Sequence, residues 1–188
     1  LLATQPALAQ SDLWSRRHIT MLDGLPTNTV RSITQDKDGF IWMGTDNGLC
    51  RYDGYNVLPY RNRQLGADQF VSAMIPLGKN LVVGSAHGAF LLDTEKGCFD
   101  MLDRKLNSLV NAFSVDADGN VWVATRGQGI FCYHPATRHS THYPINKANG
   151  ILDDVFADNT NQIWPISKAH GCIYHFNKAR KTFDVVPV

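Results

Sequence analysis

The sequence predicts an all-β protein built from β-propeller blades of four antiparallel strands, with about four blades present and belonging to a larger ring. Three observations lead there: a motif that recurs at nearly constant spacing, a turn before each copy, and short apolar runs between turns. Residues 40–49 return at 80–89, at 120–130 and at 162–172, with the anchors Trp42, Val82, Trp122 and Trp164 spaced by 40, 40 and 42 residues. Before them stand the turns Lys37-Asp38-Gly39, Leu77-Gly78-Lys79, Ala117-Asp118-Gly119 and Asn159-Thr160-Asn161. Repeats of this length made of four short strands are a propeller signature, whereas leucine-rich or helical repeats need a 3.6-residue periodicity that is missing here.

Each element follows from local chemistry. Residues 1–9 read LLATQPALA, small and apolar, and end in Ala7-Leu8-Ala9. That resembles the cleavage end of a secretory signal, so 1–9 is expected to be its remnant. Residues 10–29 then supply an N-terminal strand, at 19–22, and a lead-in loop. Inside the first period strand A is expected at 30–35, strand B at 40–44, strand C at 49–52 and strand D at 57–60. Asp-Gly and Asn-Gly turns punctuate β-branched and aromatic runs there, as in hairpins. The same reading places blades at about 30–65, 70–104, 109–145 and 151–188. Propellers close with roughly 4 to 8 blades, so four blades fit a piece of a ring better than a whole one. Strand 19–22 would complete a blade elsewhere in that ring.

Composition narrows the function. Lys and Arg number 18 against 17 Asp and Glu, a net charge of +1, and they are scattered. Nothing in that balance favours nucleic acid or an anionic membrane, and no stretch is long enough to span a bilayer; any membrane attachment would come from segments outside this one. Cys50, Cys98, Cys132 and Cys172 form no C-x-x-C pair. Three of them fall on strand C of different blades, whose sheets lie about 10 Å apart, so free thiols are expected. Asp36-Lys37-Asp38-Gly39 and Asp116-Ala117-Asp118-Gly119 begin like calcium loops, but Asn47 and Gly127 stand where such a loop needs Glu. They read as turns. His139 and His142 lack a third metal ligand, and no nucleophile elbow, phosphate loop or activated Cys–His pair is present; no catalytic residue, metal or cofactor is expected. The tryptophans recur at one strand-B position among apolar neighbours and read as blade core.

Binding residues are sought where polar loops vary on a rigid scaffold. In a four-strand meander the A–B and C–D turns share one face, and the B–C and D–A loops share the other. That second face collects Asn28 of the lead-in loop, Asp46 and Asn47, His87, Arg126 and Gln128, and Lys168 and His170. Strand A lines the central channel, where aligning the repeats puts Arg31, Val71, Asn111 and Asp153 at equivalent positions. The candidate ligand residues are therefore Asn28, Arg31, Asp46, Asn47, His87, Asn111, Arg126, Gln128, Asp153, Lys168 and His170.

The first repeat runs Gly24-Leu25-Pro26-Thr27-Asn28-Thr29-Val30, then Asp36 to Thr45, then Gly48-Leu49 and Arg51-Tyr52-Asp53-Gly54. It resembles the two-component regulator propeller repeat, whose pattern is LPxNxVxxIxxDxxGxxWxGTxxGLxxYD. The third blade keeps that pattern from Asp116 to Tyr133 with Ala124 replacing glycine; the second lacks the Trp, and the fourth carries Pro165 and Ile166. The resemblance implies the periplasmic sensor region of a hybrid two-component regulator of gut Bacteroidetes. It implies an oligosaccharide ligand and control of polysaccharide-utilisation genes through kinase and output parts of a longer protein. A dimerising or docking propeller, self-associating through exposed blade faces, is the alternative, and a carbohydrate-active enzyme the less favoured third.

Overall fold

A computed structural model describes residues 17–60, 63–65, 69–145 and 150–186, with Gln64 described by its backbone alone. The proposed signal remnant at 1–9 lies outside the described residues. Among the described residues, sixteen strands form four antiparallel sheets of four. Blade 1 holds β1 (Val30–Gln35), β2 (Ile41–Thr45), β3 (Gly48–Tyr52) and β4 (Val57–Tyr60). Blade 2 holds β5 (Val71–Leu77), β6 (Asn80–Ser85), β7 (Gly88–Asp93) and β8 (Cys98–Met101). Blade 3 holds β9 (Val110–Val115), β10 (Val121–Thr125), β11 (Ile130–His134) and β12 (His139–Tyr143). Blade 4 holds β13 (Asp154–Ala157), β14 (Ile163–Ser167), β15 (Cys172–Asn177) and β16 (Thr182–Val186). Each sheet is a meander in chain order, as the hairpin turns require, and the fold is an all-β run of propeller blades.

Successive sheets stack face to face. Trp42 and Leu49 of blade 1 pack on Leu81, Val83, Phe90 and Leu92 of blade 2. Val82 and Ala89 on the other side of blade 2 meet Val121, Val123, Phe131 and Tyr133 of blade 3. Trp122, Ala124, Ile130 and Cys132 then meet Val155, Ile163, Tyr174 and Phe176 of blade 4. Hence β6 and β10 are apolar and covered on both sides, and read as continuous hydrophobic runs rather than alternating ones. The inner strands approach so closely that β2 and β6 need glycine: a Cβ on Gly44 would lie 2.4 Å from Val71 Cγ1, and one on Gly84 would lie 2.8 Å from Val110 Cγ1. Main-chain N–H groups of Met74 and Ala157 donate across to Ser32 and Ser114 of the preceding blade.

Blade 4 breaks the pattern. Along β14 burial alternates, with Ile163, Pro165 and Ser167 covered while Trp164 and Ile166 are only half-buried. Phe156 is 60% exposed and Ile173 and Val185 are each 37% exposed on this blade. Trp42 and Trp122 are enclosed because a following blade covers them; among the described residues no sheet covers Trp164, so it is not blade core here. At the opposite end, Ile19 and Leu25 pack with Met43, Cys50 and Val57 over part of the outer face of blade 1.

Two further sequence expectations are corrected. Among the described residues 17–29 there is no strand at 19–22; Met21–Asp23 is a short 3-10 helix. Thr20 and Asp23 form a reciprocal capping box, and Gly24 closes the turn with φ at 109°, a conformation that favours glycine. Polar cap chemistry at both ends outweighs the apolar run between. The second correction concerns the channel register. Val30, Val71 and Val110 pair with Thr45, Ser85 and Thr125, and one residue then bulges before pairing resumes. The bulged residues are Arg31, Ser72 and Asn111, so Ser72 takes the place expected of Val71, which is fully buried against Gly44. The A–B turn of blade 2 is one residue shorter than those of the other blades, since Val82 pairs with Ile75, seven residues before it, whereas Trp42 and Trp122 pair with Thr34 and Ser114, eight before; that shifted the sequence alignment.

Candidate functional site on the B–C loop face

Loop geometry on this face is set by a buried hydroxyl in each blade. Thr45, Ser85, Thr125 and Ser167 end strand B and are fully buried. Thr45 and Ser85 donate to the carbonyls of Gly48 and Gly88 and accept the N–H of Asn47 and His87. Those two blades thus make two-residue turns. Blade 3 inserts more chain: Thr125 donates to Gly129 and accepts the N–H of Gln128, leaving 126–128 as a projecting loop.

The loop of blade 3 is clamped from both sides. Arg126 N–H donates to Leu109 O, and Ser108 Oγ donates to Arg126 O. From blade 4, the carbonyl of Gly150 accepts from both Gly127 and Gly129 N–H, and Ile151 bridges to Arg126. A Cβ on Gly150 would sit 2.7 Å from Gly127 O, and Gly150 itself has φ at 67°, so the contact needs glycine twice over. Leu152 N–H donates to Thr125 O, and Asn111 Nδ2 donates to Leu152 O at 2.7 Å.

These contacts shape a cleft of about 370 Å³ between blades 3 and 4, lined by Asn111, Arg126, Ile151, Asp153, Lys168 and Ala169. Four of the sequence candidates meet there. Asp153 occupies the place in blade 4 that the bulged residues hold in the other blades, and its Oδ2 accepts the main-chain N–H of Lys168 at 2.6 Å. Among the described residues the Arg126 guanidinium and the Lys168 ammonium make no hydrogen bond or ion pair.

The remaining candidates stand apart from this cleft. Arg31 is held by Asp46 through Nε–Oδ1 at 2.6 Å and Nη2–Oδ2 at 3.2 Å, an exposed pair that lowers the Asp46 pKa from its ordinary value. Asn28 Oδ1 accepts from Met21 N–H and ties down the 3-10 turn. Gln128 is committed at both ends, accepting from Asn107 N–H and donating to Lys105 O. Asn47 and His87 are exposed on the two short turns. His170 Nδ1 lies 3.3 Å from Ser167 Oγ within its own turn.

Wider clefts lie at the outer rim. One of about 940 Å³ between blades 2 and 3 is lined by groups including Lys79, Asp93, Met101, Tyr133 and Arg138. Its lining also carries Lys96, Asp100 and Arg104; Lys96 pairs with Asp93 at 3.6 Å, and Lys79 lies 3.8 Å from Glu95. Another of about 780 Å³ between blades 3 and 4 is lined in part by Tyr143, Tyr174 and Phe183, and among the described residues the buried Tyr174 hydroxyl finds no hydrogen-bond partner. All four cysteines are free thiols. Burial pushes Cys50 up to about 11 and Cys132 up to about 12, so neither is a nucleophile near neutral pH. His139 and His142 point to opposite sides of β12, and His142 stacks on Phe131 at 4.3 Å.

The opposite face carries a device that sequence reading missed. Asp36, Asp116 and Asp158 each accept the indole N–H of the tryptophan six residues on, at 2.7, 2.8 and 2.8 Å. The constant spacing was visible in the sequence as a signal. Hydrogen bonds from Gln162 N–H, the Thr160 hydroxyl and Trp164 hold the Asp158 carboxyl well below the usual range. Its folded pKa is depressed, so its contribution is fully present above the unfolded value of about 3.9 and is lost as pH falls below that. Melting temperature is therefore expected to be flat from about pH 5 to 8 and to fall towards pH 2, with Asp158→Asn flattening the fall. Thermal melts across pH check this.

Against known proteins, the family model for the two component regulator propeller matches residues 24–47 and 105–127. These matches fall on the lead-in and first two strands of the first and third blades. A stretch of 54 residues is 41% identical to histidine kinase P4 of Formosa agariphila, covering 29% of this chain and 4% of that protein. The extracellular domain assigned to a one-component system of B. thetaiotaomicron is 26% identical with a TM-score of 0.68, over 80% of this chain and 21% of that one. A second such domain, assigned to a hybrid two-component system of the same organism, shares the fold at 19% identity and TM-score 0.78, over 91% and 26%. The chain thus spans about a quarter or less of each of these chains. The propeller fold also serves enzymes: virginiamycin B lyase of Staphylococcus aureus matches with a TM-score of 0.69 at 12% identity, over 85% of this chain and 56% of that one. Among the described residues no helix is long and apolar enough to cross a membrane.

Proposed function

We propose that these blades are part of the periplasmic ligand-sensing propeller of a two-component receptor. The ligand is an oligosaccharide, and the readout is control of polysaccharide-utilisation genes through other parts of a longer protein. One observation carries the reading: the cleft between blades 3 and 4, where a glycine-clamped loop presents hydrogen-bonding groups that the fold itself leaves unused. Preorganised polar groups of both donor and acceptor type suit a polyol, because binding then orders little protein. The repeats shared with sensor proteins supply the signalling context. Among the described residues the cleft lining carries a single carboxylate, Asp153, which supports binding without turnover.

The experiment is a thermal-shift screen of the protein against defined oligosaccharides, with chromatography of each sugar after incubation. A raised melting temperature with the sugar recovered intact supports sensing. Cleaved or modified sugar would assign the blades to an enzyme, and no shift with any sugar would favour a docking role. The exposed apolar side of blade 4 supports a contact role in addition: a further blade of the same receptor is the occupant that fits, since Trp42 and Trp122 meet the next blade from the same register.

A further inference from the structure

The charges at the cleft set its ligand class more narrowly, and this step rests on the sensing role above. We propose that the cleft between blades 3 and 4 recognises an acidic saccharide, with Arg126 and Lys168 gripping a carboxylate or sulfate group and Asn111 and Asp153 taking neighbouring hydroxyls.

The cations are the first ground. On the same loop face, the one bulge-register cation, Arg31, is neutralised within blade 1 by the two-bonded contact to Asp46. Blade 3 has no acidic counterpart: the residues at 126–128 are Arg-Gly-Gln. Arg126 and Lys168 line one cleft without an ion-pair partner among the described residues, and Asp153 is the single carboxylate with them. The lining therefore carries a net charge of one positive unit. A neutral sugar would leave two like charges facing one small space, whereas one anionic group relieves both. The planar guanidinium matches two oxygens of a carboxylate or sulfate, and the ammonium serves a third as a point charge.

Rigidity is the second ground. The main chain at Arg126 is held by Leu109, Ser108, Gly150 and Ile151, and that at Lys168 by Asp153. Both cations are thus mounted on fixed backbone and lose little on binding except side-chain rotamers. The third ground is the mixed lining. Asn111 spends its Nδ2 on Leu152 O and keeps its oxygen, and Asp153 keeps Oδ1, so acceptors stand beside the cations. Sugar hydroxyls fit such acceptors, whereas a bare inorganic anion does not. A polyanion such as nucleic acid fits still less, because the acceptors of Asn111 and Asp153 stand beside the cations and would face its further phosphates.

Titration calorimetry with trigalacturonate, its methyl ester, a monosulfated galactose disaccharide and the desulfated disaccharide tests the proposal, with inorganic sulfate as a further probe. One acidic sugar is expected to bind at least about tenfold tighter than its neutral counterpart, and which of the two does so separates carboxylate from sulfate recognition. Raising NaCl from about 50 to about 500 mM should weaken the acidic sugar and leave the neutral one unchanged. Arg126→Gln and Lys168→Gln should each cost about tenfold for the acid and nothing for the ester, without moving the melting temperature, since both side chains are exposed. Equal binding of acid and neutral sugars, or unchanged affinity in both variants, would overturn the proposal and leave the sensing role standing. Failure of every sugar to bind would count against both, and binding of inorganic sulfate as tight as the sugars would overturn saccharide recognition at this cleft.

Discussion

Replacing Asp116 by alanine is expected to destabilise the protein by about 2–4 kcal/mol. This carboxylate is 8% exposed and sits at the centre of the A–B turn of blade 3. Its Oδ1 accepts the N–H groups of Asp118 and Asn120, while Oδ2 accepts from Asn120 Nδ2 and from the indole N–H of Trp122. Truncation strands the indole donor inside the interface that Trp122 makes with Phe176 and Ile163, and a buried donor without a partner costs more than a lost surface bond. For a domain of this size, a fall in melting temperature of about 5–15 °C corresponds to that loss. Thermal melts followed by tryptophan fluorescence would show it. Asp158→Ala removes the same bond at the half-open side of blade 4 and should cost less. Equal, small losses in both would mean that the tryptophan anchors do not depend on these bonds.

In isolation the protein is expected to self-associate through the bare side of blade 4, with a weight-average mass that rises with concentration. Phe156 and Ile173 are exposed there beside the half-buried Trp164 and Ile166, and apolar area of this kind is normally covered. In the longer receptor the proposed cover is a following blade; in isolation a second copy of the same face substitutes for it. The double variant Phe156→Ser, Ile173→Ser should shift the protein to monomer without loss of melting temperature, because both side chains are already exposed. Light scattering with sedimentation velocity would read both results. A parent protein that stays monomeric at every concentration would rule out this association.

Much of this architecture was legible from residues alone. The four-strand period, the antiparallel hairpins and the division into a turn face and a loop face follow from Gly and Asp positions, which are local chemistry. Two things were not. The bulge at Arg31, Ser72 and Asn111 depends on how far each inner strand slides against its neighbour, and a one-residue difference in turn length placed Val71 where Ser72 belongs. The role of Trp164 depends on whether a sheet lies beyond it, which no pattern within its own repeat reports. For the candidate site, the residue types Asn111, Arg126, Asp153 and Lys168 could be named, but not that they share one cleft. That depends on Gly150 meeting Gly127 across two blades, a tertiary contact made by a glycine whose flanking residues carry no repeat signal.

Hydrogen exchange measured by mass spectrometry, with and without a saccharide that raises the melting temperature, tests the central claim most directly. Ligand sensing at the cleft predicts slowed exchange in 126–129, 150–153 and 168–171, with little change at the outer edges of the blades. Protection confined to the outer-rim segments 98–104 or 181–185, or absent from all peptides despite binding, would contradict it.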